Sequence, residues 1–195
     1  MSLKIQVIIS STRPGRFSEK PAHWILSKLK QQEGIEPELL DLREYPLPFY
    51  DEPQSPSQIT NFSYSNDMAV AWAKKVGEGD GYVIVTPEYN HGYPGVLKNA
   101  LDYVYHQWNH KAVGFVSYGG VSGARVIEQL RLVSVELQMV PIRNSIHIPP
   151  PLFYDLKGRE EVGTEDFSPL DNTAHRFINQ LQWWTEATRA ARERE

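Results

Sequence analysis

The residues Ser10-Ser11-Thr12-Arg13-Pro14-Gly15-Arg16-Phe17-Ser18 bring four hydroxyl groups and two guanidinium groups into one short stretch. Where such a stretch leads into a helix, free backbone N–H groups and the positive end of the helix dipole favour an anion. Hydroxyls and arginines add charge-assisted donors, so a phosphate is the natural guest. A helix cap flanked by two solvated arginines would use the same residues. A second stretch, Pro87 to Tyr93, sets Glu88, Tyr89, Asn90 and Tyr93 in proline-restricted backbone that can lay a peptide edge and an aromatic face against a flat heterocycle. It would also serve as a rigid turn that places Glu88 near a helix N-terminus. A third, Ser117 to Arg125, carries Gly119, Gly120 and Gly123, whose N–H groups could approach a ring carbonyl closely.

The elements around these stretches predict how they meet. Lys4 to Ser10, Glu38 to Asp41, Gly81 to Thr86, Ala112 to Ser117 and Met139 to Ile148 read as five strands. Between them run helices with apolar stripes. The first starts near Pro21 and carries Ala22, Ile25, Leu26 and Leu29, and the second spans about Tyr64 to Glu78. The third opens at Pro94 with Leu97, Ala100, Leu101 and Val104, and the fourth carries Ile127, Leu130, Ser134 and Leu137. The Pro149 to Pro151 run is expected to end the regular pattern, with Leu152 to Pro169 irregular. A last helix starts near Asp171, and 189–195 is a charged, frayed tail. Alternating strands and helices in one domain spanning 1–195 imply a parallel sheet with right-handed crossovers. The expected fold is an α/β three-layer sandwich of flavodoxin-like strand order 2-1-3-4-5. That order places the loops after strands 1, 3 and 4 side by side, where open α/β sheets bind ligands.

The three loops together resemble the NADPH-dependent FMN reductase family of flavodoxin-like proteins. The resemblance rests on Ser11-Thr12-Arg13-Pro14-Gly15-Arg16-Phe17, on Pro87-Glu88-Tyr89-Asn90, on Pro94 to Asp102, and on Ser117-Tyr118-Gly119-Gly120. It implies that Ser11, Arg13, Arg16, Phe17 and Ser18 hold the FMN phosphate and ribityl chain. It implies likewise that Pro87, Glu88, Tyr89 and Asn90 line the isoalloxazine, and that Ser117, Tyr118, Gly119 and Gly120 meet its pyrimidine edge. Arg16 stands where many members have a small hydroxyl residue, Ala124 where a further glycine is frequent, and His91-Gly92-Tyr93 departs from the family's usual sequence. The implied activity is ping-pong hydride transfer from NADPH or NADH to FMN and on to a quinone, flavin, azo or metal-oxyanion acceptor. No catalytic side chain is implied, since the flavin carries the chemistry. Homodimers or homotetramers are implied too, and Tyr103, Tyr105 and Trp108 near the third helix read as a subunit contact.

Composition narrows the alternatives. The 195 residues include no cysteine, which excludes disulfides, thiolate metal sites and a cysteine nucleophile and fits a reducing compartment such as the cytoplasm. A net charge of -4 offers nothing to nucleic acid, and no segment has the length of apolar chain that a membrane span needs. Two other readings stay open. One is a flavin-binding electron carrier without reductase activity. The other is a serine hydrolase using Ser122, because Gly120-Val121-Ser122-Gly123-Ala124 differs from a nucleophile elbow only at its last residue, with His147 or His175 as base. His106 and His110 lie at helical spacing but read as surface histidines rather than metal ligands, and Lys98 with Asp102 reads as a surface ion pair.

Overall fold

A computed structural model describes residues 2–194. The β-branched run near the N-terminus forms strand β1 (Leu3–Ile9), followed by helix α1 (Glu19–Lys30) and strand β2 (Ile35–Asp41). Helix α2 (Asp67–Gly77), strand β3 (Gly81–Pro87), helix α3 (Gly95–Asp102), strand β4 (Ala112–Tyr118) and helix α4 (Ala124–Glu136) continue the alternation. The chain closes with two short strands, β5 (Val140–Pro141) and β6 (Ile146–His147), then helices α5 (Pro150–Gly158) and α6 (Asp171–Arg192). All pairings are parallel and the order is β2-β1-β3-β4-β5, with β6 also on β4. The predicted flavodoxin-like arrangement is the observed one.

Strand alternation divides the core into two layers. Ile5, Val7, Ile9, Val83 and Val85 face α1, α5 and α6 through Ile25, Leu29, Phe153, Phe177 and Leu181. Ile8, Tyr82, Ile84, Val113 and Phe115 face α2, α3 and α4 through Trp72, Leu97, Leu101, Ile127 and Leu130. Gly114 is required in β4, since a Cβ there would lie 2.5 Å from the Phe177 ring of α6.

Several boundaries differ from expectation. Strand β2 begins three residues early, because an edge strand needs only one well-covered face and its partly exposed residues give no apolar run. Helix α2 starts at Asp67 rather than Tyr64, where the Asn66 side chain accepts hydrogen bonds from the N–H groups of Met68 and Ala69. The single predicted fifth strand is interrupted. Between β5 and β6 the carbonyls of Ile142 and Arg143 accept from Arg131, and the N–H of Asn144 donates to Gln180 Oε1 at 2.7 Å.

The C-terminal region is corrected most. Pro149 to Pro151 open a helix instead of ending the pattern, since proline suits the first helical positions. Part of the expected irregular stretch is therefore α5, which buries Phe153 and Leu156. Beyond it, Phe167 stacks on Trp24 with ring centres 5.1 Å apart. The expected fraying from Arg189 is overturned up to Arg192, because Arg189 and Arg192 both pair with Asp80 and hold the end of α6 down. Glu195 lies outside the described residues. Tyr103 and Trp108 are buried within the chain, where the Trp108 indole donates to Leu101 O, so of the three aromatic residues read as a subunit contact only Tyr105 is partly exposed. Because α3 ends at Asp102, His106 and His110 share no helix face, whereas Lys98 and Asp102 form the predicted pair at 2.5 Å.

Candidate functional site

The direction of connection reverses between β1 and β3, and the loops that follow β1, β3 and β4 close on one another there. Two tyrosines tie them together. Tyr89 Oη, from the loop after β3, lies 2.8 Å from Ser11 Oγ, and Tyr118 Oη, at the end of β4, lies 2.6 Å from Ser18 Oγ. Burial pushes the Tyr118 phenol up, so it stays neutral and bonds Ser18 as a hydroxyl. The three glycine-rich stretches thus form one site.

Between them lies a cleft of about 280 Å³. Phe17, Tyr118 and Phe153 form an aromatic floor with ring centres 4.9 to 5.2 Å apart. Pro87, Glu88 and Tyr89 make one wall, Gly119 and Gly120 a second, and Arg13 to Phe17 a third. The fourth wall comes from α5, as Tyr154 and Lys157. Sequence reasoning missed that wall, although Pro150 at the helix start and Phe153 and Lys157 at i, i+4 were signals for it.

The loop after β1 is prepared for an anion. Among the described residues, no close hydrogen bond runs from a backbone N–H of Ser11 to Phe17 to another protein atom, Pro14 having no N–H to give, while the backbone of Ser18 bonds the Tyr118 phenol. The buried Ser10 hydroxyl has no partner either. Buried main-chain donors without a partner are rare in folded proteins, and a stretch that leaves its amides open is one that a ligand's acceptors can complete. The exposed Arg13 guanidinium sits 5.5 Å over the Tyr89 ring at the mouth of the cleft.

Arg16 corrects the sequence reading. Its guanidinium turns away from the cleft and all five N–H donors are taken: two by Glu19 Oε1, two by the Asp41 carboxylate and one by Ser11 O. No side-chain donor is left for a phosphate. A residue type shows that a cation is present, but not which anion it faces. Burial works to raise the Asp41 carboxyl, yet the bonds from Arg16 and Arg43 outweigh it and hold the group below the usual carboxylate range.

Asn90 is also corrected. Asn90 and His91 adopt φ of 49° and 67°, between reciprocal hydrogen bonds from Tyr89 to Gly92, so they form a tight hairpin turn. The Asn90 side chain is exposed at its tip and does not line the cleft. Glu88 spends its carboxylate on the start of α4, accepting from Arg125 Nη1 at 2.7 Å and Arg125 N at 3.3 Å. Pro87, Glu88, Tyr89, Tyr118, Gly119 and Gly120 line the cleft as expected, while Ser117 lies beneath it and donates to Ser122 O at 2.8 Å.

That bond bears on the hydrolase reading. His147 Nδ1 lies 3.3 Å from the Ser122 carbonyl oxygen and 3.3 Å from Ser117 Oγ. Neither contact activates the Ser122 hydroxyl, and His175 lies on α6 with its ring against Asn179, so neither proposed base is placed on Ser122.

Residues 3–150 match the family described as NADPH-dependent FMN reductase. An NAD(P)H-dependent FMN reductase of Schizosaccharomyces pombe is 38% identical over 148 residues, 75% of this chain and 74% of the relative. One from Saccharomyces cerevisiae is 33% identical over 145 residues, 70% of this chain and 76% of the relative. A quinone reductase of Escherichia coli is 30% identical over 147 residues, 70% of this chain and 73% of the relative. Among solved structures, a flavoenzyme NAD(P)H:(acceptor) oxidoreductase from Paracoccus denitrificans aligns with a TM-score of 0.68 at 18% identity, covering 92% of this chain and 97% of that one. The anion-ready loop, the aromatic cleft at the switch point and these matches agree, and the chain belongs to the NADPH-dependent FMN reductase family.

Proposed function

We propose that the protein is an NAD(P)H-dependent FMN oxidoreductase that holds FMN in the cleft between the loops after β1, β3 and β4 and reduces small acceptors, quinones and free flavins first among them. The amides between Ser11 and Phe17, unpaired within the chain, carry this reading, since they supply the donor set a phosphate needs beside an aromatic floor fit for a ring. In this reading the main chain of 11–18 with Ser11, Ser18 and Arg13 receives the phosphate and ribityl chain. Pro87 to Tyr89 and Tyr118 to Gly120 border the ring, and Tyr154 screens its outer side from water. Bound FMN supplies reversible two-electron hydride chemistry, which no side chain here provides.

One cleft of this size serves electron donor and acceptor in turn, so ping-pong kinetics are expected. The quinone reductase relative supports quinones as acceptors, and the reductases named for FMN support flavins. Azo compounds and metal oxyanions belong to the same acceptor class by resemblance. A cytoplasmic location is part of the proposal and rests on the cysteine-free composition. So is a homodimer or homotetramer, supported by exposed Leu132 and Val135 on α4 and testable by sedimentation.

The deciding experiment is an anaerobic visible spectrum of the protein with FMN, before and after one equivalent of NADPH. Bleaching of the bound flavin is expected. A flavin that binds but does not bleach with NADPH or NADH would make the protein an electron carrier, and a flavin that never binds would end the proposal.

A further inference from the structure

Behind the anion-ready loop stands a second arginine that nothing so far has given a role. Arg43, just past the end of β2, donates from Nη2 to Arg13 O at 2.5 Å and from Nε to Thr12 O at 3.4 Å, while its Nη1 reaches Glu19 Oε1 at 3.0 Å. Arg16 Nη1 donates to Ser11 O at 2.5 Å. Three consecutive carbonyls of the loop, Ser11, Thr12 and Arg13, are therefore held by two guanidinium groups. Because the peptide unit is planar and trans, its C=O and N–H point in opposite directions. Holding the carbonyls of Ser11 and Thr12 on one side turns the N–H groups of Thr12 and Arg13 to the other.

The carboxylates fit the same arrangement. Asp41 and Glu19 would put two negative charges behind a loop that receives an anion. Asp41 pairs with Arg16 through both oxygens and accepts the N–H of Arg43 at 2.9 Å, and Glu19 pairs with both arginines. Two acids and two bases cancel, so the loop's own N–H dipoles dominate the field felt by a ligand.

We propose that Arg43, working with Arg16 on the Asp41–Glu19 frame, is a positioning residue for the flavin phosphate, fixing the peptide planes of the loop so that its amides face the anion without either guanidinium touching it. The inference rests on the flavin reading above. It draws on the planar fork of an arginine, which presents its donors to two successive carbonyls and a carboxylate in fixed directions, as a rotatable ammonium does not.

The test compares FMN with riboflavin, which has the ring and ribityl chain but no phosphate. Each is titrated into the wild-type protein and into Arg43→Gln and Arg43→Lys, following quenching of flavin fluorescence. Arg43→Gln is expected to weaken FMN by about tenfold or more and riboflavin by less than about twofold, and Arg43→Lys to restore little of the loss. Unchanged riboflavin binding also shows that the variants fold. The positioning role is overturned if both ligands weaken equally, if neither changes, or if Arg43→Lys restores FMN fully, which would make charge alone sufficient. A wild-type protein that binds FMN no better than riboflavin would instead overturn the placement of the phosphate itself, and this inference with it.

Discussion

Gly119 sits at φ +148°, in a region only glycine occupies comfortably, and a Cβ added there would lie 3.1 Å from the Cβ of Glu88. The contact joins two walls of the cleft, so Gly119→Ala is expected to act on both stability and ligand binding. Unfolding in urea should report a loss of about 1–3 kcal/mol, and FMN titration a weaker complex. An unchanged protein on both counts would mean that the loop can relax at no cost. Glycines in a row, such as Gly119 and Gly120, were legible as a site in sequence because they permit close approach. What sequence could not supply is direction. Arg13 and Arg16 are the same residue type in the same loop, yet one lies over Tyr89 at the cleft and the other is consumed by Asp41 and Glu19. Arg43 carried no signal at all, since its targets are backbone carbonyls, which every residue has.

Among the elements, α5 shows how a turn signal can be misread. Three prolines suggested an end to regular structure, but Pro149 is the cap and Pro150 and Pro151 fill the first turn, where a missing N–H costs nothing. The helix then supplies Phe153 to the cleft floor and Tyr154 and Lys157 to its outer wall, beginning where the family match ends. Its far end is latched by Lys20, whose ammonium donates to Leu156 O at 3.0 Å and Arg159 O at 2.8 Å. A cation on the carbonyls at a helix C-terminus is a local stabiliser. Lys20→Met is therefore expected to cost about 0.5–1.5 kcal/mol, concentrated in α5. Hydrogen exchange would show faster amides over residues 152–158 with little change in β1, β3 or β4, and equal acceleration everywhere would refute a local latch. The long central strands were read correctly because burial on both faces makes them continuously apolar. The edge strand β2 and the broken β5–β6 edge lack that run, and their limits were misplaced accordingly.

Across the whole molecule, the end of the sheet opposite the cleft is held by a polar cluster under the sheet. Lys111 is buried there, and its ammonium donates to Gly77 O and to Tyr82 Oη, both at 3.1 Å. Burial, with help from nearby Arg192, lowers its pKa to about 8. The unfolded chain keeps the ordinary higher value, so between about pH 8 and the normal lysine range it binds more protons than the folded protein. Stability contributed at this position therefore rises with pH across that window, by up to ~1 kcal/mol per pH unit. The difference in melting temperature between wild type and Lys111→Met should move in favour of wild type from pH 7 to 10, and a difference independent of pH would show that the amine keeps its charge in the fold. Asp80 completes the cluster by pairing with Arg189 and Arg192, which is why a tail that reads as frayed is helical to Arg192.

The two rims of the sheet have a bearing on how the molecule meets other chains. One rim is β2, where Pro37 has no N–H and stands between Glu36 and Glu38. At the other, β5 and β6 are separated by a segment whose carbonyls and N–H are already taken by Arg131 and Gln180. Neither rim presents the unbroken row of donors and acceptors on which a foreign strand could template itself. Growth by adding sheet to sheet, the route to fibres and swapped aggregates, is closed at both ends, and any self-association must proceed through helices and loops.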